Sequence, residues 1–435
     1  MKAFLKFLIH ICIFPFFILV LTIIYFFSLF TGKKTTKPRL VWGPVPLISN
    51  KYWSEALKKA GYPSETLMSN YYSSIHKKED FDKYTEDTLC LGILRDLLRI
   101  LGLLEIGKMY RSFIYAVLHY DIFHHHFHGG FIGNTPFWGL EAPILHCFKK
   151  KIVITAYGRD FYRYSKVEDV SWRNGLLNSY PEMAKEEKHI ERKVQYWTRH
   201  ADTIINGLQI DGMGRWDVIP YNMVTINTSE WFPREQYSPA DGKNGTVYIA
   251  HTPNHRGVKG SEFIIQAVEM LKKEGLQVEL LLIEKMQNDE VRKLLQEKAD
   301  LLVEQLLLGY ALSAVEGMAC GLPVLSNLSN EIYTRMFRRF SYLNECPILS
   351  TTPENILDNL RVLVTNPQLR ETLGKAGKQY VQKYHSEKTA QYMFGAVYDK
   401  IWFGKEVNLL NLFHPLLSNQ PEPPVVHPLH ENRLI

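Results

Sequence analysis

EQLLLGYALSAVEGMACGLPVLSN, residues 304–327, leaves an apolar strand, crosses a helix and re-enters a strand within 24 positions. LLVEQ ends the first strand at Gln305, the helix stops near Cys320 before Gly321 and Pro323, and PVLSN starts the next strand. Two strands joined through a helix run parallel, and a parallel sheet covered on both faces reads as near-continuous apolar runs such as these. One residue breaks the pattern. Glu316 sits inside the apolar helix, where an unpaired carboxylate is costly to bury, so it is exposed, salt-bridged, or accepting a ligand's hydrogen bonds. Gly317, Ala319 and Gly321 let the backbone pack closely with or without that ligand.

The same alternation extends outward in both directions. Upstream, Gly245–Ala250 and Gln277–Glu284 read as strands, and Ser261–Lys273 and Asn288–Lys298 as helices. HTPNHRGVKGSEFIIQA (251–267) is then a loop between strand and amphipathic helix, with Arg256 and Lys259 just before the helix N-terminus. Free N–H groups and the helix dipole favour an anion there, and two cations can hold a diphosphate against it; a solvated basic loop is the other reading. A second series fills the first half: RLVWGPVPL, YDIFHHHFHGG, KKIVITAYGRD, ADTIIN and WDVIP as strands, KYWSEALKKAGY as a helix ending at Gly61, and Leu91–Leu118 as a core helix pair, with a surface dipping into the membrane interface as the alternative. Trp231–Asn244, with Pro233, Pro239, Asp241 and Gly242, is the linker. Residues 1–36 are an anchor with its flank, 37–235 and 236–385 two Rossmann-like domains, 386–402 a closing helix, and 403–435, containing PEPPVVHP, a loose tail.

Phe7–Phe30 holds 24 positions without Lys, Arg, Asp or Glu, long enough to cross a bilayer, and no small-residue cleavage site ends it. Positive charges on its flanks are nearly balanced and lean toward a single-pass protein with a cytosolic body. The five cysteines, Cys12, Cys90, Cys147, Cys320 and Cys346, have no paired spacing, which suits a reducing compartment and argues against zinc or a disulfide framework. A net charge of +6, scattered along 435 residues, gives no basic tract for nucleic acid. His124, His125, His126 and His128 would divide between the two faces of a strand instead of converging on a metal. Asp80 and Asp82 form a DxD, but behind IHKKE and not behind an apolar strand.

Segments 251–267 and 304–327 together resemble the donor domain of glycosyltransferase family four and its GT-B relatives, a likeness running roughly from Val41 to Trp402. The resemblance implies two Rossmann-like domains, a nucleotide-sugar donor, and a glycan or lipid-linked acceptor at the membrane. It places Arg256 and Lys259 on the donor diphosphate and Glu316 on its ribose. Leu308 stands where the family has another Glu, which leaves Glu304, Gln305 and the backbone of Gly309 and Tyr310 to meet the donor sugar. On the acceptor side, Ser49 and Asn50 occupy the place of a Gly-rich loop. Tyr157, Gly158 and Asp160 resemble a His-Gly-x-Asp loop with Tyr for His, and HFHGG adds His128, Gly129 and Gly130. The expectation is a retaining, hexosyltransferase-like enzyme needing neither metal nor cofactor, with Arg256, Lys259 and Asp160 as its catalytic group. A sugar-nucleotide epimerase and a non-catalytic scaffold of the same fold are the alternatives.

Overall fold

The computed structural model describes residues 2–30, 36–73, 77–88, 104–158, 160–207, 210–234, 236–419 and 422–434. In the first half, α1 (Lys2–Phe30) precedes β1 (Leu40–Trp42), α2 (Ile48–Lys59), β2 (Ser64–Met68), β3 (Lys83–Tyr84), α3 (Leu104–His119) and β4 (Ile122–His125). Then follow α4 (Glu141–Cys147), β5 (Lys151–Thr155), α5 (Val170–Ser179), α6 (Glu187–His200) and β6 (Thr203–Ile205). All six strands are parallel in the order β3-β2-β1-β4-β5-β6.

The second half runs β7 (Val247–His251), α7 (Arg256–Lys259), α8 (Ser261–Lys273), β8 (Val278–Leu282), α9 (Asn288–Glu297), β9 (Leu301–Gln305), α10 (Leu312–Ala319) and β10 (Val324–Ser326). It continues through α11 (Glu331–Phe340), β11 (Leu349–Ser350), α12 (Ile356–Thr365), α13 (Pro367–Tyr384) and α14 (Glu387–Ile401). Its parallel sheet has the order β11-β10-β9-β7-β8. Each sheet therefore reverses direction once, between β1 and β4 in the first and between β7 and β9 in the second. Open parallel sheets bind ligands beyond the carboxyl ends of the strands at such a reversal. The central strands β1, β4 and β9 are buried along their whole length, the polar His124, His125, Glu304 and Gln305 included.

The closing helix does not stay with the second domain. Phe394 of α14 packs edge-on against Trp42 and Trp53 of the first, and the Tyr398 hydroxyl lies 2.9 Å from His124 Nε2. Gln391 donates to the Ala56 carbonyl at 2.8 Å, and Lys59 pairs with Glu387.

Four expectations change. WDVIP makes one bridge, Val218 to Ile205, in place of a strand, because Asp217 turns back to accept from the Ile204 amide. Of the 91–118 stretch, residues 91–103 lie outside the described residues and the rest is the single helix α3. The tail is packed: Phe413 lies against Tyr342 and Tyr392, Leu429 joins the second core, and Asn432 donates to the carbonyls of Cys346 and Ile348. Finally α1, the one described helix long and apolar enough to cross a membrane, is not detached from the body. His10, Phe14, Phe17 and Tyr25 pack on Tyr110, Phe137, Phe113 and Phe148.

Candidate functional site

Facing carboxyl ends of the two sheets enclose a cleft of about 850 Å³, lined from the first domain by Asp169, Ser171, Asn174 and Asn178 and from the second by Arg256, Gly257, residues 260–263, Asn327, Ser329 and Thr352. The domains touch at its back. Ser179 Oγ accepts from the Val258 amide at 3.1 Å, Asn330 donates to Asp169 at 2.6 Å, and the Tyr180 and His255 rings meet edge-on. Gly175 and Gly257 permit this approach: a Cβ on Gly175 would fall 2.2 Å from Leu307, and one on Gly257 3.0 Å from Asn178.

Lys259 stands at the β7/β9 reversal. It is buried, and its ammonium donates to Glu304 and, at 2.9 Å, to Gln305 Oε1. Glu304 also accepts from Ser313 Oγ (3.0 Å), Ser326 Oγ (3.2 Å) and the Ala311 amide (3.3 Å). A buried cation so held keeps its position without spending side-chain entropy when a ligand arrives. Gly260 adopts φ +71°, which turns the chain from α7 into α8 and brings the first residues of α8 to the cleft wall. Beneath them His251 bridges the Val303 carbonyl and Ser261 Oγ, both at 2.8 Å, and burial lowers its pKa to about 4.

Glu316 is buried, as its apolar helix suggests, and Asn288 donates to it at 3.2 Å. Desolvation raises its pKa to about 8, against the pull of Asn288 and of the Lys259 charge. Leu308 lies in the core, so no side chain replaces the carboxylate the resemblance expects there; Glu304, four residues earlier, is the carboxylate nearest in sequence and meets Lys259. Gly309 has φ +62° and accepts from Ser326 Oγ.

Other expected residues make contacts of their own. Arg256 is on the cleft rim with its guanidinium committed to Glu284, through two contacts of 2.9 and 3.0 Å, and to Glu262. The Tyr310 side chain points into the core, where its hydroxyl meets Tyr380 and His385 at 2.9 Å, which leaves only its backbone for the donor, as the sequence reading has it. Asp160 is a brace. Its buried carboxylate accepts from the amides of Phe127, Tyr157 and Gly158 at 2.9, 3.1 and 3.0 Å, joining the loops after β4 and β5. Burial lifts its pKa to about 7. The turn after HFHGG is already filled by a carboxyl group of this chain: Glu141, buried, accepts from the Phe131 amide at 2.8 Å, and a Cβ on Gly130 would fall 2.0 Å from its Oε1. Desolvation raises Glu141 to about 8.

At the β1/β4 reversal the structure does bring Asn50, His126 and Tyr157 together. Asn50 Nδ2 lies 3.5 Å from His126 Nε2 and donates to the Val45 carbonyl, and the His126 and Tyr157 rings meet edge-on at 5.1 Å. Ser49 is half-buried beside them, and exposed His128 and Tyr157 edge the same loops. The histidine run divides as its spacing requires: His124 Nδ1 faces the Val41 carbonyl, His125 Nδ1 that of Gly43, His126 Nδ1 that of Thr155. Asp80 and Asp82 are engaged by Lys51 and by Lys58 with Thr66. Sequence reasoning missed the α5 wall. Its signal was Asn174 and Asn178, four apart on one helical face with Gly175 between them.

No family model matches the chain. An uncharacterised glycosyltransferase of Methanocaldococcus jannaschii is 29% identical over 100 residues, which are 23% of this chain and 28% of that protein. The match thus spans little more than a quarter of that relative. Sucrose-phosphate synthase from Thermosynechococcus elongatus superposes with a TM-score of 0.53 at 15% identity, covering 84% of this chain and 99% of its own. A S. aureus TarM mutant, in complex with fondaparinux, alpha-GlcNAc-glycerol and UDP, gives 0.52 at 12% identity over 87% of this chain and all of its own. These likenesses are of fold. Two parallel sheets facing each other across a cleft, with a last helix returning to the first domain, make this a protein of GT-B fold.

Proposed function

We propose that the protein is a membrane-attached glycosyltransferase that moves a sugar from a nucleotide-sugar donor to a glycan or lipid-linked acceptor. The observation that carries the reading is a buried cation, Lys259, preset at the β7/β9 reversal beside the start of α8 and within electrostatic reach of buried Glu316. As the bond from the sugar to the diphosphate breaks, negative charge grows on the leaving nucleoside diphosphate. Lys259 and the amides at the start of α8 meet that charge from fixed positions, which is the economical form of electrostatic catalysis. Arg256 joins them by exchanging Glu284 for phosphate, and Glu316 accepts from the ribose hydroxyls. The scheme assigns no step to a metal or cofactor. Retention of anomeric configuration follows from the family resemblance.

The acceptor lies in the polar cleft against Asn174, Asn178 and Asp169, and next to the Asn50, His126 and Tyr157 cluster. The curated relative's name and the UDP in the TarM complex support the same class of donor. Nucleotide sugars are made in the cytosol, so the body faces it and the apolar α1 supplies attachment.

The full-length protein in detergent should be stabilised against heat by nucleoside diphosphates more than by the matching monophosphates, and should hydrolyse or transfer one nucleotide sugar from a panel with EDTA present. Equal stabilisation by mono- and diphosphates would remove the diphosphate clamp, and activity returning only with added manganese or magnesium would remove the metal-free scheme.

A further inference from the structure

We infer that α1 lies in the plane of the membrane, sunk in one leaflet with the body docked beside it, and does not cross. The inference is independent of the donor chemistry. Two sides of the helix differ. His10, Phe14, Phe17, Leu21 and Tyr25 recur at helical spacing and face the body: His10 Nδ1 lies 2.9 Å from the Tyr110 hydroxyl in a buried contact, the Phe14 and Phe137 rings stack at 3.7 Å, Phe17 and Leu21 are buried, and Tyr25 meets Phe148 edge-on. Phe4, Leu8, Ile11, Leu19, Ile23, Phe26 and Phe30 form the outer stripe, each at least 40% exposed. An apolar stripe of that length has one natural cover, the acyl region of a bilayer.

Length decides between lying and crossing. A spanning helix needs about 20 consecutive residues in hydrocarbon, and any such stretch within Phe7–Phe30 contains residues 11–25. From His10 to Tyr25 the docked face covers about 22 Å of helix at 1.5 Å per residue. Crossing while docked would draw α3, with the charged Lys108 and Arg111, and the non-helical Asn134 loop into the hydrocarbon, where charged side chains and irregular backbone are costly. Lying flat leaves them in water. Headgroup contacts are also in place: a hollow of about 560 Å³ between α1 and the body is lined by Lys6, His10, Asn134, Trp138 and His189 and by no acidic residue. Lys and Trp at that level suit an anionic headgroup layer.

The test places single cysteines at the two ends of the helix. Lys2→Cys and Lys34→Cys are made separately in the full chain carrying Cys12→Ser and Cys90→Ser, with exposed Cys147 reporting the side of the body. In sealed vesicles of phosphatidylcholine and phosphatidylglycerol, a membrane-impermeant maleimide read by site-resolved mass spectrometry should label both ends from the side that labels Cys147. Labelling of Lys2→Cys only from the opposite side overturns the inference. Two further variants guard against misfolding. A Phe14→Cys/Phe137→Cys disulfide should form and leave vesicle binding within about twofold. Leu19→Glu/Ile23→Glu, on the outer stripe where no core contact is lost, should weaken vesicle binding more than tenfold with the fold intact by circular dichroism. Loss of binding in the cross-linked protein, or none in the Glu variant, would equally refute it.

Discussion

Replacing Lys259 by Met separates what the lysine does for the fold from what it does for transfer. In the folded protein the lysine and Glu304 are both buried and paired. Removing one partner of a buried ion pair leaves an uncompensated charge and typically costs 3–5 kcal/mol. Here the loss should fall near the lower bound, about 3 kcal/mol, because Glu304 keeps Ser313, Ser326 and the Ala311 amide. Transfer should drop about 100-fold or more, as losing one preset charge stabiliser costs about 3 kcal/mol of barrier. The double variant Lys259→Met/Glu304→Leu removes the stranded carboxylate. Two matched apolar residues replace a buried pair at little or no cost, and Ser326 still reaches the carbonyls of Gln305 and Gly309. Urea unfolding should therefore return to within about 1–2 kcal/mol of wild type, while single-turnover transfer stays down. Recovery of transfer together with stability would show that the lysine acts only by holding the loop, and would take with it the diphosphate assignment.

Glu316→Gln should raise the donor KM at least tenfold and change kcat by less than about threefold, since a ribose contact made equally in ground and transition states is uniform binding; a kcat loss matching that of Lys259→Met would contradict the assignment. Asp160→Asn should lower stability by about 2–3 kcal/mol through its loop amides, while the folded fraction keeps most of its transfer activity; a folded but inactive variant would restore Asp160 to the chemistry. Stability should peak near pH 6.5. Above that pH, Glu141 and Glu316, raised to about 8, hold protons that the unfolded chain has lost, so stability falls as pH rises, by up to about 1.4 kcal/mol per unit for each group. Below it, His125, His126, His251 and His385, lowered to about 4, stay neutral in the fold and take protons on unfolding, so acid destabilises. Urea midpoints that climb steadily from pH 6.5 to 8 would reverse the sign and refute the burial of the two glutamates.

The architecture was legible because burial on both faces writes itself as apolar runs. Residues 261–273 and 301–305 emerge at the expected bounds and Glu316 lies in the expected helix, while Lys259 ends the short helix α7 where a loop was expected. What was not legible depends on partners distant in sequence. Nothing near Asp160 announces that the Phe127 amide will reach it. Nothing near Gly130 reveals that the loop closes on Glu141, so a glycine pair resembling a ligand cradle proved to be lined from within. Arg256 looked free because Glu284 comes from beyond another strand. The tail was misread by composition: proline and charge suggested looseness, while Asn432 and Leu429 were already specified for buried positions.

The return of α14 to the first domain sets a schedule for synthesis. Trp42 and Trp53 complete their packing against Phe394, some 340–350 residues further along the chain. At ribosomal rates of about 5–20 residues per second, the flank of the first sheet stays uncovered for roughly 20–70 s after it emerges. Throughout that interval two tryptophans are open to other apolar surfaces, among them α1, which is made before them. A nascent chain whose α1 has already settled on lipid is spared that competitor, so early membrane engagement would act as a chaperone for the domain that follows it.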